Sequence, residues 1–162
     1  MKALTVKNPW AWAIIHFGKD VENRSRPTSH RGRLYIHVAQ TEAPEALIFP
    51  AFQSGVSELS PEEIETLAKE GVLCIEDHEP TFGIIPEQRG LVIGTVDVVN
   101  CHHSSKCQVR ESANHVDGHY TGSLCSQWAM DDSYHWTLSN PRPLEIPFEA
   151  RGKLGLWNVN AE

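Results

Sequence analysis

The sequence contains no run of apolar residues reaching the roughly 18 that an α-helix needs to cross a bilayer. The apolar stretch near the start is interrupted by Lys19 and Asp20 and lacks a small-residue cleavage pattern, so we do not expect a signal peptide. Cysteine is scarce, with four residues, and without an export signal these are expected to be free thiols. We therefore predict a cytoplasmic protein with no membrane partner.

An excess of positive charge is also missing, because the formal net charge is −7. Proteins that coat nucleic acid rely on lysine and arginine to release counterions from phosphates. The charges are unevenly distributed, however. Residues 1–34 carry seven basic side chains against two acidic ones, and residues 42–87 carry eleven acidic side chains against one basic. A locally basic surface can therefore exist on an acidic protein.

A chain of 162 residues with 40% hydrophobic content is long enough for one core, and we predict a single domain over 1–162. The acidic stretch near 42–87 is expected to be a helical insertion. One helix is predicted from Glu42 to Gln53, and a second begins at the capping box of Ser60 and Glu63 and ends at Gly71. The polar residues near 100–127 show no clear period and predict a Cys/His-containing loop.

Near the N-terminus the pattern predicts a short helix. Asn8 is suited to cap it, and Pro9 suits its first position. Gly18 suits its end, because a residue without a Cβ adopts the left-handed conformation easily. Residues at the spacing of one buried helix face are Trp10, Ala13, Ile14 and Phe17.

Four charged side chains follow this helix directly. They are Lys19, Asp20, Glu22 and Arg24. Such a cluster is either a site or a salt-bridged turn, in which Glu22 pairs with Arg24 two residues along the same strand face.

The rest of the chain indicates several strands. Residues 33–38 alternate in hydrophobicity, which places His37 away from the aliphatic side, towards solvent or a cleft. Residues 90–99 predict a central strand. Further along we predict a short strand over 135–138, a turn over 140–143 and a closing strand over 152–159. These elements favour an α+β fold, a small mixed β-barrel with flanking and inserted helices.

Motifs along most of the chain resemble the ASCH domain, a family of the PUA-like superfamily. They are the segments 4–11, 18–24, 30–32, 36–39, 94–96, 136–138, 140–143 and 152–157. The family pattern of glycine, lysine, glutamate and arginine is present as Gly18, Lys19, Glu22 and Arg24, with glycine directly before lysine. The resemblance implies a β-barrel of PUA-like type with a cleft beside the first helix.

Members of the family are thought to bind RNA or other nucleic acids in this cleft. The resemblance and the residue chemistry together predict binding of a short single-stranded RNA, a nucleoside or a nucleotide. The predicted binding residues are Asn8, Trp10, Lys19, Glu22, Arg24, Arg31, His37 and Trp136. The alternative for both tryptophans is burial in the core.

Two other functions stay open at this point. Some small ASCH proteins resemble amidohydrolases of N4-acetylcytidine nucleosides, in which the lysine works with a threonine three residues later. That position is Glu22 here, so a hydrolase, including a ribonuclease, would use Lys19 and Glu22 as catalytic residues, with the carboxylate as general base. A protein-interaction adaptor acting through the acidic helices is the second alternative.

We expect no cofactor. The alternative is a zinc site in the polar stretch. Its candidate ligands are Cys101, Cys107, His115, His119 and Cys125. The gap between the first two cysteines is longer than usual for paired ligands, and no C-x-x-C occurs. A histidine-rich surface loop is therefore the favoured interpretation.

Overall fold

The computed structural model describes residues 1–41, 43, 60–62, 65, 73–76, 79–82, 88–107, 115–116, 119–120 and 124–159. The predicted helix over 42–53 lies almost entirely outside these residues. Within the second predicted helix, Pro61, Glu62 and Glu65 have helical backbone. The proposed protein-binding role of the acidic helices therefore stays a prediction. None of the described helices is long and apolar enough to cross a membrane.

A six-stranded mixed sheet forms the framework. Its strands, in spatial order, are β10 (Leu156–Asn158), β1 (Lys2–Val6), β3 (Gly32–Val38), β6 (Leu91–His103), β9 (Tyr134–Glu149) and β2 (Val21–Arg24). β1 and β3 are parallel, and the other neighbours are antiparallel. The described residues are mostly sheet with one complete α-helix, and the sheet fits the half-barrel of a PUA-like fold. Within this part of the chain β10 and β2 remain its two edges.

Two small hairpins were not predicted. The first pairs β4 (Leu73–Glu76) with β5 (Glu79–Phe82), inside the stretch expected to be helical. The second pairs β7 (His115–Val116) with β8 (His119–Tyr120), inside the predicted loop.

Helix α1 (Trp10–His16) ends as predicted but begins differently. Pro9 occupies the N-cap position and no side chain caps the helix, so the prediction that Asn8 is the cap was wrong. Gly18 has φ of 66°, the left-handed conformation expected after a helix. The backbone N–H of Lys19 donates to the carbonyl of Ala13 at 3.0 Å. This bond folds the chain back and fixes where the charged segment starts.

The helix packs closely onto the sheet. Ala11, Ile14 and Ile15 enter a core shared with β1, β3, β6 and β9. Gly94 of β6 makes this possible, because a Cβ there would lie 2.6 Å from Cδ1 of Ile15 and 2.8 Å from the backbone oxygen of Arg142. The approach of helix to strand thus requires glycine at this position.

Two strands extend past their predicted ends. β6 continues to His103, into the predicted polar loop, and β9 continues through the predicted turn at 140–143, which was therefore wrong. The register between the two strands shifts at this proline-containing segment, so the segment stays within β9. Asn140, at the shift, has φ of 50°. The closing strand is shorter than predicted. The long β6 and β9 place His102 opposite His135.

Candidate nucleic-acid interface

A cavity of about 840 Å³ lies beside α1. Its walls come from β1, β2 and β3, from residues 39–41 and 43, and from the loop 150–155. Distant parts of the chain therefore meet around one space, next to the helix end that carries the charged segment. The resemblance to the ASCH family implied a cleft at this place.

The charged segment forms a linked set of ion pairs beneath and beside this cavity. Lys19 Nζ donates to the carbonyl of Val21 and lies 3.2 Å from Oε2 of Glu22. Oε1 of Glu22 lies 3.0 Å from Nε of Arg24. Arg24 also donates through Nη2 to the carbonyl of Thr5 at 2.8 Å. The structure thus contains the salt-bridged arrangement that was one of the two predicted alternatives.

Burial separates the roles of these three side chains. Lys19 is 5% exposed and Glu22 is 8% exposed. Burial lowers the pKa of Lys19, and the nearby carboxylate of Glu22 opposes this shift. Lys19 does not line the cavity, whereas Glu22 and Arg24 do. Lys19 is therefore placed to hold Glu22 in position, and Arg24 is the cation of the motif that a ligand can reach.

Three further cations line the cavity, and sequence reasoning did not select them. They are Lys7, Arg151 and Lys153, all exposed. Glu22 is the only acidic side chain among the cavity residues that the structure describes, and it already has two cationic neighbours. Lys153 lies in the segment 152–157, for which the sequence predicts a strand, and no local pattern marks its side chain as part of a site. The lining residues that the structure describes consequently carry a net positive charge, although the whole chain is negative.

His37 forms part of the cavity wall although it is 1% exposed. Its Nε2 lies 3.0 Å from the carbonyl of Ala150, so this nitrogen carries the proton and donates. Nδ1 is buried and has no hydrogen-bond partner within the described part of the chain. Burial lowers the pKa of His37. A neutral imidazole with an acceptor nitrogen is therefore expected at neutral pH.

The loop backbone rests directly on this histidine at Gly152. A Cβ at that position would lie 2.5 Å from Cε1 of His37 and 3.0 Å from Oγ1 of Thr5. Only glycine fits without displacing the loop. Gly152 thereby sets the positions of the adjacent Arg151 and Lys153 on the cavity rim.

The remaining predicted binding residues lie in different places. Trp10 lines the cavity and is half-buried. Asn8 is buried and outside the lining. Arg31 is exposed, and its Nη1 donates to backbone carbonyls of its own loop. Trp136 is a core residue whose Nε1–H donates to the carbonyl of Arg26 at 3.0 Å. The structure brings together Trp10, Glu22, Arg24 and His37.

Comparison with known protein families agrees with this architecture. The sequence model of the ASCH domain matches residues 4–148. This chain belongs to the ASCH domain family. The match runs from Leu4 in β1 to Phe148 in β9, so it includes the lining of the cavity except the loop 150–155.

Two curated relatives of this ASCH domain are both named Activating signal cointegrator 1. The proteins from Homo sapiens and from Mus musculus are each 26% identical over 162 residues. The alignments cover 98% of this chain and 22% of each relative. The chain thus spans about a fifth of the length of these relatives.

The chemistry available for hydrolysis in this ASCH domain is restricted. Both oxygens of Glu22 have cationic neighbours, so the carboxylate that a hydrolase would use as general base is already held in two ion pairs. Thr5 lines the cavity, and its hydroxyl accepts from Nε1–H of Trp157 at 3.0 Å. The hydroxyl of Thr28 accepts from the backbone N–H of His30 and lies outside the cavity lining.

The fold brings two of the residues predicted as metal candidates together. Cys107 and Cys125 come together, and His102 and His135 join them. Cys101 lies outside this group, because its sulfur accepts from the backbone N–H of Thr28 at 3.4 Å. His115 and His119 lie on β7 and β8, whose side chains are outside the described part of the structure. Sequence spacing missed His135 because it is brought in by strand pairing.

Proposed function

We propose that this ASCH domain binds a short single-stranded RNA segment, or a single nucleotide, in the cavity beside α1. The observation that carries the proposal is the charge of the lining. Among the lining residues that the structure describes, four are cations, Lys7, Arg24, Arg151 and Lys153, and one is a carboxylate that is already ion-paired. In a chain of net charge −7, this concentration of positive charge supports an anionic ligand.

The cavity size supports a small ligand. Pockets for small molecules enclose roughly 300–1,000 Å³, and this one encloses about 840 Å³. That space suits one nucleotide or a few, not a duplex. Trp10 on the wall offers a ring for base stacking, which contributes about 1–3 kcal/mol per base.

The cavity cations differ in the contacts that they can make with a bound ligand. Arg24 is anchored by Thr5 and Glu22, so its guanidinium is fixed and suited to a phosphate oxygen. Arg151 and Lys153 are exposed on the loop and can adjust to the backbone of a bound strand. The partly accessible carboxylate of Glu22 is suited to accept from a base amino group.

Fluorescence anisotropy with a labelled single-stranded RNA hexamer tests the proposal. Arg151→Ala is expected to weaken binding about tenfold, since charge-assisted hydrogen bonds contribute about 1.5–3 kcal/mol and exposure reduces that contribution. Arg142→Ala is the matched control, because Arg142 is an exposed arginine outside the cavity. A duplex of the same length is expected to bind more weakly than the single strand.

Salt dependence gives an independent measurement. If all four described lining cations contact phosphates, each contact contributes about 0.7 to the slope of log Kd against log salt for a single strand. The magnitude of the slope should therefore be no greater than about 3. Equal losses from Arg151→Ala and Arg142→Ala, or a much steeper slope, would place binding outside the cavity. Chromatography of these mixtures, and of the protein incubated with acetylated cytidine, measures any turnover. We expect no turnover, because Glu22 is already ion-paired.

A further inference from the structure

Four side chains able to bind a metal converge outside the cavity lining. They are His102 at the end of β6, Cys107 after the 3-10 turn Ser104–Lys106, Cys125, and His135 on β9. One ligand atom of each lies within 4.8 Å of the other three. The sulfur of Cys107 is 3.2 Å from Nε2 of His102 and 3.1 Å from Nδ1 of His135, and the sulfur of Cys125 is 3.3 Å from the same Nδ1.

These distances match a tetrahedral zinc site. With Zn–S of about 2.3 Å and Zn–N of about 2.0 Å, neighbouring ligand atoms of a tetrahedron are separated by roughly 3.3–3.8 Å. The three measured separations fall within a few tenths of an ångström of this range. Two thiols and two imidazoles are also the donor set that selects zinc, and four protein ligands leave no open position for substrate.

The supporting contacts orient the ligands as a metal site requires. Nε2 of the fully buried His135 lies 2.7 Å from the carbonyl of Met130. Its N–H therefore donates there, which leaves Nδ1 unprotonated and facing the two sulfurs, as in metal-bound histidines. The backbone N–H of Cys107 donates to the carbonyl of Ser104 at 2.9 Å. His102 is set opposite His135 by strand pairing.

We propose that His102, Cys107, Cys125 and His135 bind one structural Zn²⁺ ion. The ion would tether Cys107 and Cys125 to His102 of β6 and His135 of β9, and thus link residues that are distant along the chain.

Hydrogen bonds connect the segment after Cys125 to β2, the edge strand whose residues line the cavity. Asn23 of β2 donates through Nδ2 to the carbonyl of Trp128 at 2.8 Å and accepts from the backbone N–H of Met130 at 2.9 Å. The segment that follows Cys125 thus supports β2 between Glu22 and Arg24. Zinc bound at Cys125 would stabilise this support.

Elemental analysis of the untagged full chain tests the proposal. We expect about one zinc per chain, and Cys107→Ser and His135→Asn should each reduce this to a small fraction. Cys101→Ser is the matched control, because Cys101 is a neighbouring thiol outside the cluster, and it should retain the metal. A chelator should lower the Tm of the wild-type chain and leave that of metal-free Cys107→Ser unchanged.

Cobalt substitution keeps the test decisive if the variants do not fold. Wild-type protein prepared with Co²⁺ should show the visible absorption of a tetrahedral ion and a thiolate-to-cobalt charge-transfer band. Absence of bound metal, a disulfide between Cys107 and Cys125, or full zinc content in Cys107→Ser and His135→Asn would each overturn the proposal. None of these measurements depends on RNA binding.

Discussion

Replacing Glu22 by glutamine removes the charge shared by Lys19 and Arg24 while preserving the shape of the side chain. Lys19 Nζ is 3.2 Å from Glu22 and 5% exposed, so the variant leaves a buried ammonium without its paired carboxylate. The carbonyl of Val21 and the ring of Trp10, whose centroid is 6.0 Å away, remain beside it. Removing one member of a buried pair costs about 3–5 kcal/mol. For a chain of this size, that lowers Tm by roughly 6–20 °C.

Lys19→Met is the informative comparison. It keeps the apolar stem, removes the ammonium and leaves Glu22 paired with Arg24 at 3.0 Å. The loss is then mainly the charged hydrogen bonds of Lys19, about 1–3 kcal/mol. Glu22→Gln should therefore be the less stable variant. Urea unfolding followed by tryptophan fluorescence, with five tryptophans as probes, measures both free energies of unfolding.

The deficit of Glu22→Gln should also depend on pH. The folded-state pKa of Lys19 already lies below its ordinary value of 10.5 because of burial, and loss of the carboxylate lowers this pKa further. The penalty is complete below the folded-state pKa and is relieved as pH rises from there towards 10.5. The difference from wild type should therefore shrink as pH rises towards 10.5. A Lys19→Met variant less stable than Glu22→Gln, or a deficit independent of pH, would refute this reasoning.

Two further predictions concern the cavity wall. Gly152→Ala should destabilise the chain by about 1–3 kcal/mol and weaken RNA binding, because its Cβ would lie 2.5 Å from Cε1 of His37. Thermal unfolding measures the loss of stability, and fluorescence anisotropy measures the loss of RNA affinity. Leu154→Ala, at a side chain that is 99% exposed, is the control for stability, and an equal loss of stability there would contradict the steric explanation. Trp10→Ala should reduce RNA affinity by roughly 5- to 100-fold through lost stacking. An unchanged Kd in that variant would exclude Trp10 from the interface.

Local signals identified much of the framework. The apolar spacing around Ala13 and Ile14 predicted the first helix, and Gly18 marked its end, because both depend on residues within a few positions of one another. The alternation over 33–38 likewise predicted β3. Asn8 failed as a cap because capping also depends on how the preceding chain enters the helix. The turn predicted at 140–143 failed because bulged pairing with β6 accommodates its two prolines within a strand.

The candidate sites were less accessible to sequence reasoning. The spacing of Lys19, Glu22 and Arg24 predicted either a site or a set of salt bridges, and only burial showed that Lys19 lies beneath the surface. Arg151 and Lys153 reach the cavity because β10 pairs with β1 and brings the preceding loop over His37. No local pattern encodes that approach.

The sequence by itself determined the family, the first helix with its glycine end and the motif of charged residues, since each depends on short-range order along the chain. The tertiary structure decided which charges are buried, which cations share one cavity and which thiols meet which imidazoles. Cys107 and His135 lie 28 positions apart and are 3.1 Å apart in space. Their meeting depends on the register of β6 against β9, which is fixed by packing of the whole sheet.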